Sequence, residues 1–120
     1  VIPGFTWRIP ARVARVIDGD TVVLKDLDLG FLTSRASLPG DEQHVRLLDL
    51  WCAERYTDEG KVAKAFVENL LPPDTVVIYH SVVWKQTLGR ALGYIELMDG
   101  TDLSTLVRDA GLGTLTKPTV

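Results

Sequence analysis

Hydrophobic and polar positions alternate in short bursts along this chain, and two of those bursts frame an acidic turn. Arg12-Val13-Ala14-Arg15-Val16-Ile17 and Thr21-Val22-Val23-Leu24 are β-branched runs separated by Asp18-Gly19-Asp20. Asp-Gly between such runs is a hairpin signal, because glycine takes the positive φ that tight turns need. The pattern predicts paired strands over 11–18 and 21–26, with Asp26-Leu27-Asp28-Leu29-Gly30-Phe31 able to extend the second. Residues 34–43, with Pro39-Gly40, read as a loop, and 44–50 as a third strand. The spacing then changes to that of a helix. Val62, Phe66 and Leu70, with Ala63, Val67 and Leu71, share one face. Thr57 is a hydroxyl N-cap, Asp58 and Glu59 follow where the helix dipole favours acids, and Pro72-Pro73 ends the element. A β-branched run predicts a fourth strand over 75–83, residues 84–89 a connection, and 90–98 a fifth strand closing at Asp99-Gly100. A short helix over 102–110 turns Leu103, Leu106, Val107 and Ala110 inward and stops at Gly111. Residues 1–10, with Pro3, Gly4 and Pro10, read as an irregular arm pinned to the core by Phe5 and Trp7.

Three strands, a helix, two strands and a helix is the order of an OB-type barrel. The predicted class is therefore α+β: a five-stranded OB-fold-type β-barrel with two helices packed on it, over residues 11–115, with an arm at 1–10 and a tail at 116–120. A chain of 120 residues, 46% hydrophobic, can build one core without a disulfide or structural metal. Cys52 is the sole cysteine, so neither an intrachain disulfide nor a cysteine-built zinc site is available. The net charge of −3 argues against a broad basic face of the kind that binds nucleic acid non-specifically, although local clusters remain open. No apolar run approaches the roughly 18 residues of a membrane span. The N-terminus lacks the layout of a signal peptide. Val1 in place of Met admits an upstream segment that was removed. A monomer is assumed.

The candidate chemistry starts at the acidic turn, which has two readings. Asp18 and Asp20 either hydrogen-bond their own backbone, as in many Asp-Gly turns, or concentrate negative charge for a ligand. Arg46 in an apolar strand, Glu54 ahead of the helix and Arg90 after Gly89 have the same ambiguity. Each fits a structural ion pair or a solvated surface as well as a site.

Together these segments resemble the staphylococcal nuclease (thermonuclease) family. Val16-Ile17-Asp18-Gly19-Asp20-Thr21-Val22 is similar to its signature hairpin, and Arg46-Leu47-Leu48 with Glu54 downstream to its Arg-Leu…Glu segment. Gly60 to Leu71 resembles its first long helix, and Leu88-Gly89-Arg90-Ala91-Leu92-Gly93-Tyr94-Ile95 its Tyr-Gly-Arg strand. Asp102 to Leu112 resembles the stretch closing on Leu-Val-Arg-x-Gly-Leu, and Asp28-Leu29-Gly30-Phe31 resembles a variant of phage-encoded members. The resemblance implies a calcium-dependent phosphodiesterase acting on single-stranded or flexible DNA or RNA with little sequence preference. It also suggests the cytoplasm of a phage-infected cell as the compartment. Asp20 would ligate the metal, Glu54 would activate the attacking water, and Arg46 and Arg90 would hold the phosphate. The chemistry is coherent, because two planar guanidiniums fit phosphate oxygens and a hard cation held by carboxylates neutralises further charge.

Departures from the family pattern weaken this expectation. Trp51 stands where a second metal-ligating aspartate belongs, and an indole offers calcium no oxygen. The main-chain carbonyl of Cys52 and the Asp18 carboxylate remain as further ligands, giving a weak Ca2+ site, roughly millimolar. Asp49 is a tempting substitute, but its direction is open. Leu88 replaces the customary tyrosine, which leaves Trp51 or Trp84 as the base-stacking face, with Lys85 among the nucleic-acid-binding residues. Cys52 as a nucleophile would need His44 or His80, and no motif aligns them. The competing expectation is a catalytically degenerate barrel that binds nucleic acid or protein.

Overall fold

The computed structural model describes residue 2 and residues 7–27, 42–87 and 90–116; the side chains of 7, 82–87 and 90 are outside that set. Five strands close a barrel: β1 (Trp7–Asp18), β2 (Thr21–Lys25), β3 (Glu42–Leu47), β4 (Val76–Thr87) and β5 (Arg90–Glu96). Helix α1 (Asp58–Leu70) follows β3, and α2 (Leu103–Asp109) follows β5. The strand order is β1-β2-β3-β5-β4, closing back on β1. Every pair is antiparallel except β3 with β5, which run parallel. This is the predicted α+β barrel, with the order of elements expected from the pattern.

Alternation along the strands builds the core. Val13, Val22, Leu24, Val45, Leu47, Val77, Tyr79 and Ile95 point inward and are buried. Helix α1 adds Val67 and Leu71 to that core, and α2 adds Leu103 and Val107. The Thr57 hydroxyl accepts the Gly60 amide at 3.0 Å, so α1 has the N-cap the sequence predicts. Val62, assigned to the inward face of α1, is 55% exposed, because the buried stripe narrows to Gly60, Ala63 and Val67. On α2, Ser104 is buried where Ala110 was expected; its hydroxyl donates to the Leu48 carbonyl at 2.9 Å.

The element boundaries differ from the expectation in several places. Residues 7–10 belong to β1, not to an arm, and pair with 78–81 of β4. Pro10 made this stretch look irregular. It is tolerated at an exposed position of the strand, opposite Ile78. Strand β4 continues to Thr87 through irregularities between Ser81 and Val83 and between Val83 and Thr87. Residues 84–87 are therefore strand rather than connection. Strand β3 stops at Leu47, since Asp49 takes a left-handed φ of 57° and turns the chain so that Leu50 enters the core. Strand β2 ends at Lys25, before Asp26 with φ 53°. Phe5 and the Asp28–Phe31 extension lie outside the described residues. Among the described residues, no helix is long and apolar enough to cross a membrane.

Candidate active site

The candidate site sits where the β1–β2 turn, the end of β3 and the segment before α1 meet. Asp20 follows Gly19, and its backbone carbonyl accepts the Leu47 amide at 2.8 Å, which places the turn beside β3. Thr21 pairs with Arg46 across β2 and β3, so the two strands deliver Asp20 and Arg46 to the same spot. Arg46 Nη2 lies 3.4 Å from Asp20 Oδ2, with the two side chains 13% and 12% exposed. Cys52 N–H donates to the same oxygen at 3.1 Å, and the Thr21 hydroxyl donates to Oδ1 at 3.2 Å. The segment carrying Cys52 presses close to the turn: a Cβ on Gly19 would stand 2.7 Å from Cys52 Sγ and 2.8 Å from Ala63 Cβ.

Asp18 closes the other side of the turn. Its Oδ1 accepts the Asp20 amide at 3.2 Å, which is the local backbone bond that an Asp-Gly turn can make. The turn thus makes the local backbone bond, and it also sets the two carboxylates side by side. Burial first, and then hydrogen bonding and repulsion from Asp18, push the Asp20 carboxyl up to about 6, against the pull of Arg46 and the Cys52 amide. The Cys52 thiol is pushed up to about 12, by burial and then by Asp20 and Asp18. A thiol held that high is a poor nucleophile at neutral pH. His80, one of its two conceivable bases, has Nε2 on Glu96 Oε1 at 2.7 Å.

Arg46 is held from several directions. Nη1 donates to the carbonyls of Leu47 and Leu50, the latter at 2.9 Å, and the guanidinium lies 4.6 Å from the centroid of the Trp51 ring. Trp51 is 38% exposed and, with Arg46, Leu48 and Leu92, lines a pocket of about 250 Å³. Leu92 is the β5 partner of Arg46, and Arg90 begins that strand two positions earlier. The side chains of Arg90, Trp84 and Lys85 lie outside the described residues. Glu54 is exposed, and the hydrogen bonds and ion pair of Asp20 and Arg46 among the described residues go to other groups. Its carbonyl accepts both the amide of Thr57, at 3.0 Å, and its hydroxyl, at 2.7 Å, which fixes the backbone there. The structure thus joins Asp18, Asp20, Arg46, Trp51 and Cys52, and leaves Glu54 on the adjoining loop.

A hard cation at this rim could take the Asp20 and Asp18 carboxylates and the Cys52 carbonyl. Among the described residues no group of three or more His, Cys, Asp or Glu side chains is placed to hold a metal. The donor set is thin, but it is all oxygen. Two adjacent carboxylates, one of which burial and its neighbour make harder to ionise, are also the arrangement a cation relieves. Asp49 does not join it, since its Oδ2 accepts the Tyr94 hydroxyl at 2.9 Å. Sequence reasoning missed the C-terminal contribution: Trp51 and Thr114 form a β-bridge, with N–H···O distances of 2.8 and 2.9 Å. Gly111 and Gly113 were the available hint, but a two-residue bridge has no periodicity to read.

No protein-family model matches this chain, and no curated protein matches it.

Proposed function

We propose that the chain is a calcium-dependent phosphodiesterase that cleaves single-stranded or flexible DNA or RNA with little sequence preference, and that its metal site is weak. The observation that carries this reading is the approach of Asp20 and Arg46, brought from the β1–β2 turn and from β3 to 3.4 Å at a partly open rim. The hairpin, strand and helix motifs shared with the thermonuclease family support it. In this reading the Arg46 guanidinium holds one edge of the phosphate, and Arg90 takes the other. Glu54, exposed on the loop before α1, accepts the proton of the attacking water. The Trp51 face beside the pocket stacks a base, and Trp84 and Lys85 of β4 are the further candidates for nucleic-acid contact. Calcium, when bound at Asp20, adds positive charge next to the phosphate and orients water.

A second reading is favoured by one feature. Arg46 already spends donors on the Leu47 and Leu50 carbonyls and covers Trp51, which is how a structural arginine behaves. On that reading the barrel binds nucleic acid or protein without cutting. Digestion of a single-stranded oligonucleotide in excess calcium, in chelator, and by the Glu54→Gln variant separates the two. Cleavage that needs calcium and collapses in the variant supports the enzyme, whereas retention of the oligonucleotide uncut at every calcium concentration supports the binding barrel.

A further inference from the structure

We propose that Gly113 and Thr114 form a strap that positions the Asp20–Arg46 site and sets whether it is assembled. The inference rests on the reading of that rim as the functional site, but its structural half can be measured separately. The Thr114 carbonyl accepts the Trp51 amide at 2.8 Å, and the Thr114 amide donates to the Trp51 carbonyl at 2.9 Å. Those two bonds fix Trp51, whose ring covers Arg46, and the next amide along, Cys52 N–H, grips Asp20. Gly113 lets the strap lie flat. A Cβ there would stand 2.5 Å from Leu50 Cδ1 and 3.2 Å from both Cys52 Sγ and the Trp51 carbonyl oxygen. Cys52 therefore lies between two glycines, Gly19 in the first turn and Gly113 in the strap. A bridge of two residues outside the barrel ladder is a local unit that opens without unfolding the rest.

Because Cys52 is the sole cysteine, its labelling by a thiol reagent at fixed pH reports strap opening directly. Thr114→Pro deletes the amide that reaches the Trp51 carbonyl, and Gly113→Ala wedges the strap while keeping its hydrogen bonds. With far-ultraviolet circular dichroism unchanged, each should speed labelling at least about fivefold, Thr114→Pro by losing a single net backbone bond and Gly113→Ala by the clash of its Cβ with Leu50. Each should lower calcium-dependent cleavage of single-stranded DNA by a similar factor. Hydrogen exchange on the unmodified chain provides a check that needs no variant. The Trp51, Cys52 and Thr114 amides should exchange together, faster than Val45 in the barrel. Unchanged labelling in both folded variants, or a Cys52 amide that exchanges as slowly as Val45, overturns the strap. Faster labelling with no cleavage by the unmodified chain upholds the strap and removes the phosphodiesterase reading.

Discussion

Replacing Asp20 with asparagine should flatten part of the dependence of stability on pH. Burial, and Asp18 alongside, raise the Asp20 carboxyl from its ordinary 3.8 to about 6. The folded chain thus holds this proton more tightly than the unfolded chain does. The stability it contributes is complete below the unfolded value and is lost as pH rises through the folded one, the reverse of an ordinary salt-bridged carboxylate. A gap of about 2.2 between 6 and 3.8 corresponds to at most about 3 kcal/mol, of which about 2 kcal/mol falls between about pH 4.5 and 8. Asparagine keeps one acceptor oxygen for the Cys52 amide, sets an NH2 donor against the Thr21 hydroxyl oxygen, and does not titrate. Urea unfolding in chelator, across that pH range, should show the variant gaining on the wild type by about 2 kcal/mol as pH rises. Calcium added at the alkaline end should return part of the difference to the wild type alone, since a cation replaces the proton between the two carboxylates. A constant difference at every pH would refute the reasoning, because it would mean that Asp20 ionises as an exposed aspartate does.

Other expectations follow from single contacts. Arg46→Lys keeps the charge but loses the second carbonyl bond and the flat contact with Trp51; it should cost about 1–2 kcal/mol in urea unfolding at neutral pH. Gly60→Ala would set a Cβ 1.8 Å from the Glu54 carbonyl oxygen and should destabilise by about 3 kcal/mol, read as a fall in Tm, because backbone and not a mobile side chain is in the way. Glu54→Gln should leave stability within about 0.5 kcal/mol, the group being exposed, while cutting phosphodiester cleavage by about 10²-fold or more. Trp51→Asp should tighten calcium binding by about tenfold or more in isothermal titration by adding a carboxylate one residue before Cys52, whose amide bonds Asp20.

The barrel was legible because its strands carry β-branched alternation and its long helix carries both a cap and a stop. Boundaries were harder wherever a local residue type argued one way and tertiary pairing the other. Pro10 suggested an arm, yet 7–10 pair with β4. Leu48-Asp49-Leu50 continued an apolar run, yet Asp49 turns left-handed, with its carbonyl held by Arg108 and its carboxylate by Tyr94. At the site, Asp20 and Arg46 were legible as types but not as a pair, because their approach depends on the register of β2 against β3. The cover of Trp51 over Arg46, and the bridge from Thr114, depend on loops that sequence periodicity does not describe.

The central claim is that Asp20 and Arg46 act as one unit on a phosphodiester. It is tested most directly by calcium-dependent cleavage of single-stranded DNA by the wild type, Asp20→Asn, Arg46→Lys and the double variant. Residues that act together lose activity non-additively, so each single variant should lose nearly as much as the pair. Cleavage that survives in all three variants, or in chelator, would contradict the account.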